Sequence, residues 1–231
     1  MAVINVIIPA FNEEKSIAKV LEAIPSGLVH DVIVVNNNST DNTADAAGKA
    51  GATVLFEPQP GYGNACLCGI KYATSKTGSA VPDVLVFIDG DYADHPEEMP
   101  LLLEPILSGK ADLVIGSRAL GNRENGAMMP QQIFGNWLAT TLLRLFYKTS
   151  FTDLGPFRAV RTDKLLQLNM QDKTYGWTVE MQLKAAKHKL KCVEVPVTYR
   201  KRIGTSKISG TVKGTVMAGY KIILTIFRYL N

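Results

Sequence analysis

Five short apolar runs, each followed by a stretch with helical spacing or by a tight turn, constrain this chain more than any other feature. Val3–Ile8, Asp31–Val35, Thr53–Phe56, Val84–Ile88 and Asp112–Ile115 read as strands. Glu13–Ile24, the stretch from Asp41 to Ala50, Tyr62–Ala73 and Pro96–Leu107 read as helices between them. Strands buried on both faces are near-continuous apolar runs, and strand–helix alternation requires crossovers. The expectation is a mostly parallel, Rossmann-like α/β sheet with helices on both faces. In such a sheet ligands gather where strands end. Polar residues directly after each run are therefore the candidates for chemistry.

Asp89-Gly90-Asp91 follows the fourth run. Two hard oxygen donors at a strand end suit Mg²⁺ or Mn²⁺ holding a diphosphate. Pro9-Ala10-Phe11-Asn12-Glu13 closes the first run, with an aromatic able to lie against a base or ribose. Glu13 reads either as a ligand contact or as an acid at a favourable helix start. Asn36-Asn37-Asn38-Ser39-Thr40-Asp41 closes the second run. Asn36 and Asn37 are expected to face a ligand, and Ser39 and Asp41 to shape the next helix. Gly61, Tyr62 and Gly63 precede the third helix, where small residues admit a close phosphate. A complete Gly-x-Gly-x-x-Gly is missing from the first strand–helix unit, which counts against a dinucleotide dehydrogenase.

After Arg118 the alternation stops. Ala119–Pro130 lacks periodicity and reads as a mobile loop over the site. Gln131–Tyr147 and Val179–Lys187 read as helices, Phe151–Val160 as strand and turn, Lys191–Tyr199 as a strand and Arg200–Gly210 as a basic loop. Thr211–Leu230 returns to helical spacing. Its Val216, Tyr220, Ile223 and Phe227 form one face, suited to a membrane interface or to the core. From Lys184 onward there are eleven Lys or Arg against one acid, a local +10 in a chain of net +4. That asymmetry points to phosphate-bearing ligands or an anionic membrane surface. Three cysteines without a Cys-x-x-Cys pair speak against a disulfide framework or zinc site. The N-terminus lacks the pattern of a signal peptide, and no apolar run approaches the roughly 20 residues of a membrane span. The expected location is cytoplasmic, at the cytosolic membrane face if the last helix binds lipid.

Taken in order, Val6–Glu14, Val32–Asp41, Gly61–Ala65 and Val84–Asp91 resemble the family 2 glycosyltransferases of GT-A fold. The second half is similar, more narrowly, to the dolichol-phosphate mannosyltransferase group, which includes bacterial polyprenyl-phosphate hexosyltransferases. Gly116-Ser117-Arg118, Thr152 to Arg158, Glu194 to Val197, and Arg202 to Lys207 carry that match. The resemblance implies a GT-A domain over 1–210, with a nucleotide-sugar half at 1–118 and an acceptor half at 119–210. An amphipathic helix at 211–231 follows. It implies a UDP- or GDP-hexose donor whose metal is held by Asp89 and Asp91, with Pro9, Phe11, Glu13 and Asn37 near the nucleoside. A glucose or mannose would pass to a polyprenyl phosphate with inversion. Arg118, Arg158, Arg200, Arg202, Ser206 and Lys207 fall in or beside segments the family uses for phosphate. For Arg200, Lys201 and Arg202 a solvated basic strand end is the alternative. Asp153 falls where a base or acceptor-orienting group is usually considered, and an ion pair with Arg158 is its structural alternative.

Two departures stand out. Asn36-Asn37 is neutral where the family usually carries an acid. Pro156 also interrupts the common Gly-Phe-Arg. Three rivals remain: a soluble transferase with a small or saccharide acceptor, a nucleotide-sugar binder without turnover, and a sugar-nucleotide pyrophosphorylase. The last lacks its Gly-rich basic N-terminal loop. Nucleic acid is not an expected partner, and the apolar faces of the two long helices leave a homodimer open.

Overall fold

The computed structural model describes residues 2–78, 81–204 and 212–230. Seven strands form one sheet in the order β3-β2-β1-β4-β6-β5-β7. They are β1 (Ile4–Ala10), β2 (Asp31–Asn36), β3 (Thr53–Phe56), β4 (Val84–Phe87), β5 (Leu113–Ser117), β6 (Arg158–Arg161) and β7 (Cys192–Pro196). Six of them run parallel. β6 alone is reversed, paired antiparallel to both β4 and β5. The parallel ends at Ala10, Asn36, Phe87, Ser117 and Pro196 therefore share one edge of the sheet.

Side chains alternate along each strand, so each strand feeds two cores. Ile7, Ile33, Leu85 and Phe87 face α3 (Tyr62–Thr74), α5 (Pro130–Tyr147), α6 (Thr162–Leu168), α7 (Trp177–Lys187) and α8 (Val212–Arg228). Val6, Ile8, Val34 and Val86 face α1 (Ile17–Ala23), α2 (Thr43–Lys49) and α4 (Met99–Leu107). Trp177 is fully buried at the centre of the first core, its ring 4.8 Å from that of Phe87. Burying such aromatics contributes about 3 kcal/mol each.

Three expectations change. Helix α1 begins at Ile17, and Glu14–Ser16 form a turn before it. Residues 151–156 are irregular, and the strand starts only at Arg158; a short helix, α6, follows it without a gap. The 119–130 segment is tied down rather than loose. Arg123 bridges Tyr199, Glu124 N donates to Tyr199 O (2.8 Å) and Tyr199 N to Asn122 O (2.9 Å). Ser206 and Lys207 lie outside the described residues.

Candidate active site

Two cavities open on the shared sheet edge. The first, about 350 Å³, is walled by Pro9, Phe11, Glu13, Asn37, Gly61 and the Asp89–Asp91 turn. The second, about 290 Å³, is walled by Arg118, Met128, Gln131 and Gln132, by Leu154 and Pro156, and by Ala218 and Ile222 of α8. Tyr62, Asp89, Asp91, Tyr175 and Arg202 line both, so the cavities meet at the paired carboxylates.

The first cavity is framed by side chains bonded to backbone. Asn37 Nδ2 donates to Glu57 O (3.0 Å) and Gln59 O (2.7 Å), and its Oδ1 accepts from Gly61 N (2.8 Å). Its amide is thus spent on shaping the 57–61 wall. Asn36 Oδ1 accepts from Ser39 N (3.0 Å), and Asn36 does not line the cavity. Asp41 accepts from Thr43 N (3.0 Å), Thr43 Oγ1 and Glu14 N (3.2 Å), which sets the start of α2 and anchors the turn after β1. Phe11 stays 42% exposed, an open ring at the mouth.

The glycines before α3 have a different task from the one expected. A Cβ on Gly61 or Gly63 would fall 2.2 Å from Lys173 O or 2.0 Å from Asp172 O. Gly61 also sits at φ +142°, where side chains are disfavoured. Asn64 N donates to Lys173 O (3.0 Å). The 172–173 backbone therefore occupies the approach that a ligand phosphate would need at this helix start. The same segment carries Tyr175, which the sequence reading did not single out.

At the junction the charges are tightly arranged. Arg202 Nη2 pairs with Glu13 Oε1 (3.0 Å) and its Nη1 with Asp91 Oδ2 (3.1 Å). Asp91 Oδ1 accepts from Ala93 N (2.9 Å). Asp89 Oδ1, the Tyr62 hydroxyl and Arg202 Nε are buried without a hydrogen-bond partner. Unsatisfied buried polar atoms are costly, and three at one junction point to a ligand. Burial, and then the charge of Asp91, raise the Asp89 carboxyl to about 7, although Arg202 opposes this. Asp94 was not anticipated either. It is 2% exposed, both its oxygens lack partners, and burial together with Asp89 pushes it well above the usual carboxylate range.

The donor set fits a divalent cation. Among the described residues no cluster of three metal-ligating side chains exists. Two carboxylates, one with an unpartnered oxygen, match an ion that takes its remaining ligands from water and a diphosphate.

The predicted phosphate cluster divides. Arg118 Nε and Nη2 grip Asp153 Oδ2 (2.9 Å) and Oδ1 (2.7 Å), and Arg118 N adds a third bond to Oδ2 (2.7 Å). Burial alone would raise Asp153, yet the charge and bonds of Arg118 outweigh it and hold the carboxyl below its ordinary range. Asp153 thus orients Arg118 and is ill suited to accept a proton, and its partner is not Arg158. Arg158 is fully buried, and its guanidinium donates to the carbonyls of Leu154, Gly155 and Thr178. No acceptor phosphate can reach it. Arg200 stacks 3.4 Å from the Tyr92 ring centroid and donates to Tyr92 O (2.7 Å) and Asp94 O (3.1 Å), bracing the backbone behind Asp91. Only Arg118 and Arg202, of the arginines expected to bind phosphate, line a cavity of the site. Glu194 accepts from Thr152 N (2.9 Å) and Asp153 N (3.1 Å), fixing the loop that presents Asp153.

This geometry has known counterparts. The model of the family "Glycosyl transferase family 2" matches residues 5–168. An uncharacterised glycosyltransferase of Mycobacterium tuberculosis is 35% identical over 217 residues, covering 93% of this chain and 94% of its own. The undecaprenyl-phosphate mannosyltransferase of Micrococcus luteus is 33% identical, with 90% and 88% covered. The crystal structure of glucosyl-3-phosphoglycerate synthase from Mycobacterium tuberculosis, in complex with Mn²⁺, UDP and phosphoglyceric acid, superposes with a TM-score of 0.77. It is 23% identical and covers all of this chain and 79% of the other, a likeness of fold. With the sheet, the paired carboxylates and these matches together, the chain belongs to glycosyl transferase family 2 and has the GT-A fold.

Proposed function

We propose that this glycosyltransferase moves a hexose, glucose or mannose, from a UDP- or GDP-sugar to a polyprenyl phosphate, with inversion and with Mg²⁺ or Mn²⁺ at Asp89 and Asp91. The observation that carries the reading is the junction itself. Two cavities share one pair of carboxylates, and three buried polar atoms without a partner belong to residues that line both. The Micrococcus relative supports the acceptor class.

In this reading the nucleoside occupies the first cavity, against Phe11 and the wall that Asn37 holds. A cation held by Asp89 and Asp91 would neutralise charge gathering on the departing diphosphate. Arg202, already between Glu13 and Asp91, is the protein cation nearest that charge. The acceptor phosphate enters the second cavity. One of its oxygens attacks the anomeric carbon as the bond to the diphosphate oxygen breaks, which inverts the centre. A phosphomonoester is already anionic near neutral pH, so no base is needed. Arg118 has Nε and Nη2 committed to Asp153, which leaves Nη1 to steer the acceptor oxygens. Because Asp153 fixes the guanidinium beforehand, little reorganisation remains for the transition state.

The acceptor's lipid portion has a matching surface. Val216, Met217, Tyr220, Leu224 and Phe227 of α8 are exposed, while Ile226 and Thr225 on the opposite side are buried. The helix thus packs on the core and also presents an apolar face, which supports the membrane-interface reading of its sequence. Among the described residues no helix is long and apolar enough to cross a membrane. A second reading, a water-soluble phosphorylated acceptor, is favoured by the amides of Gln131 and Gln132 in a second cavity of only about 290 Å³.

The test is thermal unfolding with UDP, GDP, CDP or dTDP, each with Mn²⁺ or with chelator, followed by transfer assays using the sugar of the winning nucleotide. A native-state ligand at a hundredfold excess over its Kd stabilises by about 2.7 kcal/mol. A metal-dependent shift for one nucleotide, with transfer to a short-chain polyprenyl phosphate and none to 3-phosphoglycerate, is the expected result. Transfer to the soluble acceptor alone selects the second reading. No shift in a folded sample overturns the donor site.

A further inference from the structure

A third cavity, about 250 Å³, lies on the far side of the Arg118–Asp153 ion pair, between the 119–128 segment and α5. Arg118 faces the acceptor cavity, whereas Asp153 reaches the wall of this one, so the pair stands between the two, and Met128 and Asn136 line both. None of the donor-cavity residues lines it.

Its charged wall is basic. Arg123 and Arg144 both line it, and among the described residues neither has a carboxylate within ion-pair distance. Among the described residues the side chain of Arg123 makes a weak 3.6 Å contact to Met128 Sδ. The nearby acids are already engaged: Asp153 by Arg118, and Glu124 by Lys201. The polar groups of Thr140 and Thr152 are likewise bonded within the chain. Two exposed guanidiniums, without an ion-pair partner among the described residues, thus face one cavity.

The rest of the wall is apolar and opens outward. Ile133 and Trp137 line the cavity and are 43% and 58% exposed, and Phe134 stands beside Trp137 at 5.7 Å between ring centroids. Paired arginines favour a phosphate, and an exposed indole next to them favours the boundary between headgroup and hydrocarbon. A free phosphate would gain nothing from Ile133, Phe134 and Trp137.

We propose that this cavity is a second phosphate site, separate from the reacting centre, which takes the headgroup of an anionic membrane lipid with its tail along Ile133 and Trp137. The inference does not rest on the identity of the acceptor, because neither Arg123 nor Arg144 lines the acceptor cavity and its test involves no turnover.

The two tryptophans provide the readout, since Trp177 is fully buried and Trp137 is exposed. The full chain is floated with vesicles of phosphatidylcholine alone or mixed with phosphatidylglycerol, and iodide quenching of Trp137 is followed. Binding that requires phosphatidylglycerol, weakens with salt and shields Trp137 is expected. Arg123→Gln with Arg144→Gln should weaken it roughly tenfold or more. Arg144→Glu alone, an exposed substitution, should weaken it at least as much as Arg144→Gln alone. In each variant the UDP-, GDP-, CDP- or dTDP-dependent thermal shift of the parent protein should persist. Unchanged vesicle binding by the double variant overturns the proposal, as does equal binding to pure phosphatidylcholine. Inorganic phosphate that alters Trp137 emission while vesicles do not would assign the site to free phosphate and defeat the lipid reading.

Discussion

The two cavities that meet at Asp89 and Asp91 are built in opposite ways. The first is cut into the ends of β1, β2 and β4, and its wall is held by Asn37, Ser39, Asp41 and Thr43 bonding to backbone. The second is walled by α5, α8 and two irregular segments. Its order comes from paired charges, Arg118 with Asp153 above all, and much of its lining is apolar. A strand edge leaves little freedom in where a side chain points, so a rigid diphosphate suits the first cavity. Helices and charge pairs can be exchanged without disturbing the sheet, so the acceptor side is where specificity can diverge.

The sharpest way to break this comparison is at the shared carboxylates. Asp91→Asn should lower transfer by about a hundredfold to a thousandfold while circular dichroism shows an unchanged fold. An active variant that still needs metal would contradict the site. Next, Asp153→Asn leaves a buried Arg118 unpaired and should cost about 3 kcal/mol in urea unfolding at pH 7. It should also raise the KM for acceptor more than that for donor. Equal effects on both would erase the division between the cavities.

The pH dependence sharpens the second case. Asp153 is held below its ordinary value in the folded protein, so its contribution is present above the unfolded value near 3.8 and is lost as pH falls toward the folded one. The stability gap between parent and Asp153→Asn should therefore be full at neutral pH and shrink below about pH 4. A gap that stays constant down to pH 3 would remove the ionised pair from the account.

Smaller effects test the walls. Asn37→Ala removes three bonds to the 57–61 segment and should weaken nucleotide binding about tenfold, with kcat nearly unchanged. Val216→Ser with Tyr220→Ser should shift stability by only about 0.5 kcal/mol, because both side chains are more than 60% exposed, yet reduce vesicle binding. Substitution is the better probe here than deleting the helix. Ile226 is buried, Tyr229 donates to the buried Glu180 (2.8 Å), and Lys221 pairs with Asp172 (3.1 Å), so removing α8 would damage the core.

The same contrast explains what was legible in the residues. Apolar runs and their spacing reveal every parallel strand, and a carboxylate directly after such a run must emerge at the sheet edge. Asp89, Asp91, Phe11 and Glu13 could be placed in this way because their positions follow from local geometry. The fate of a cation does not. Arg158 sits in a motif that suggests phosphate, but its strand turns it into the core against Leu154, Gly155 and Thr178 carbonyls. Arg200 is captured by Tyr92, 108 positions earlier. Asp153 meets Arg118 across 35 positions, and Gly61 and Gly63 make room for a backbone more than 100 residues downstream. Tyr175 carried no local signal, and Asp94, three residues past Asp91, was passed over although its neighbours mark the site. Long-range packing decides such cases, and a reading of one sequence has no access to it.

The reversed strand has a consequence for how the protein is made. β4 lies between β1 and β6, and Phe87 cannot meet Arg158 until the ribosome has added some seventy further residues. β5, in turn, has only β6 and β7 as neighbours. At elongation rates of about 5–20 residues per second, the nascent sheet spends several seconds with an apolar strand edge open. Such edges are templates for association between chains. Soluble yield should therefore respond to growth temperature, translation speed and chaperone supply during that interval more than to the stability of the finished fold.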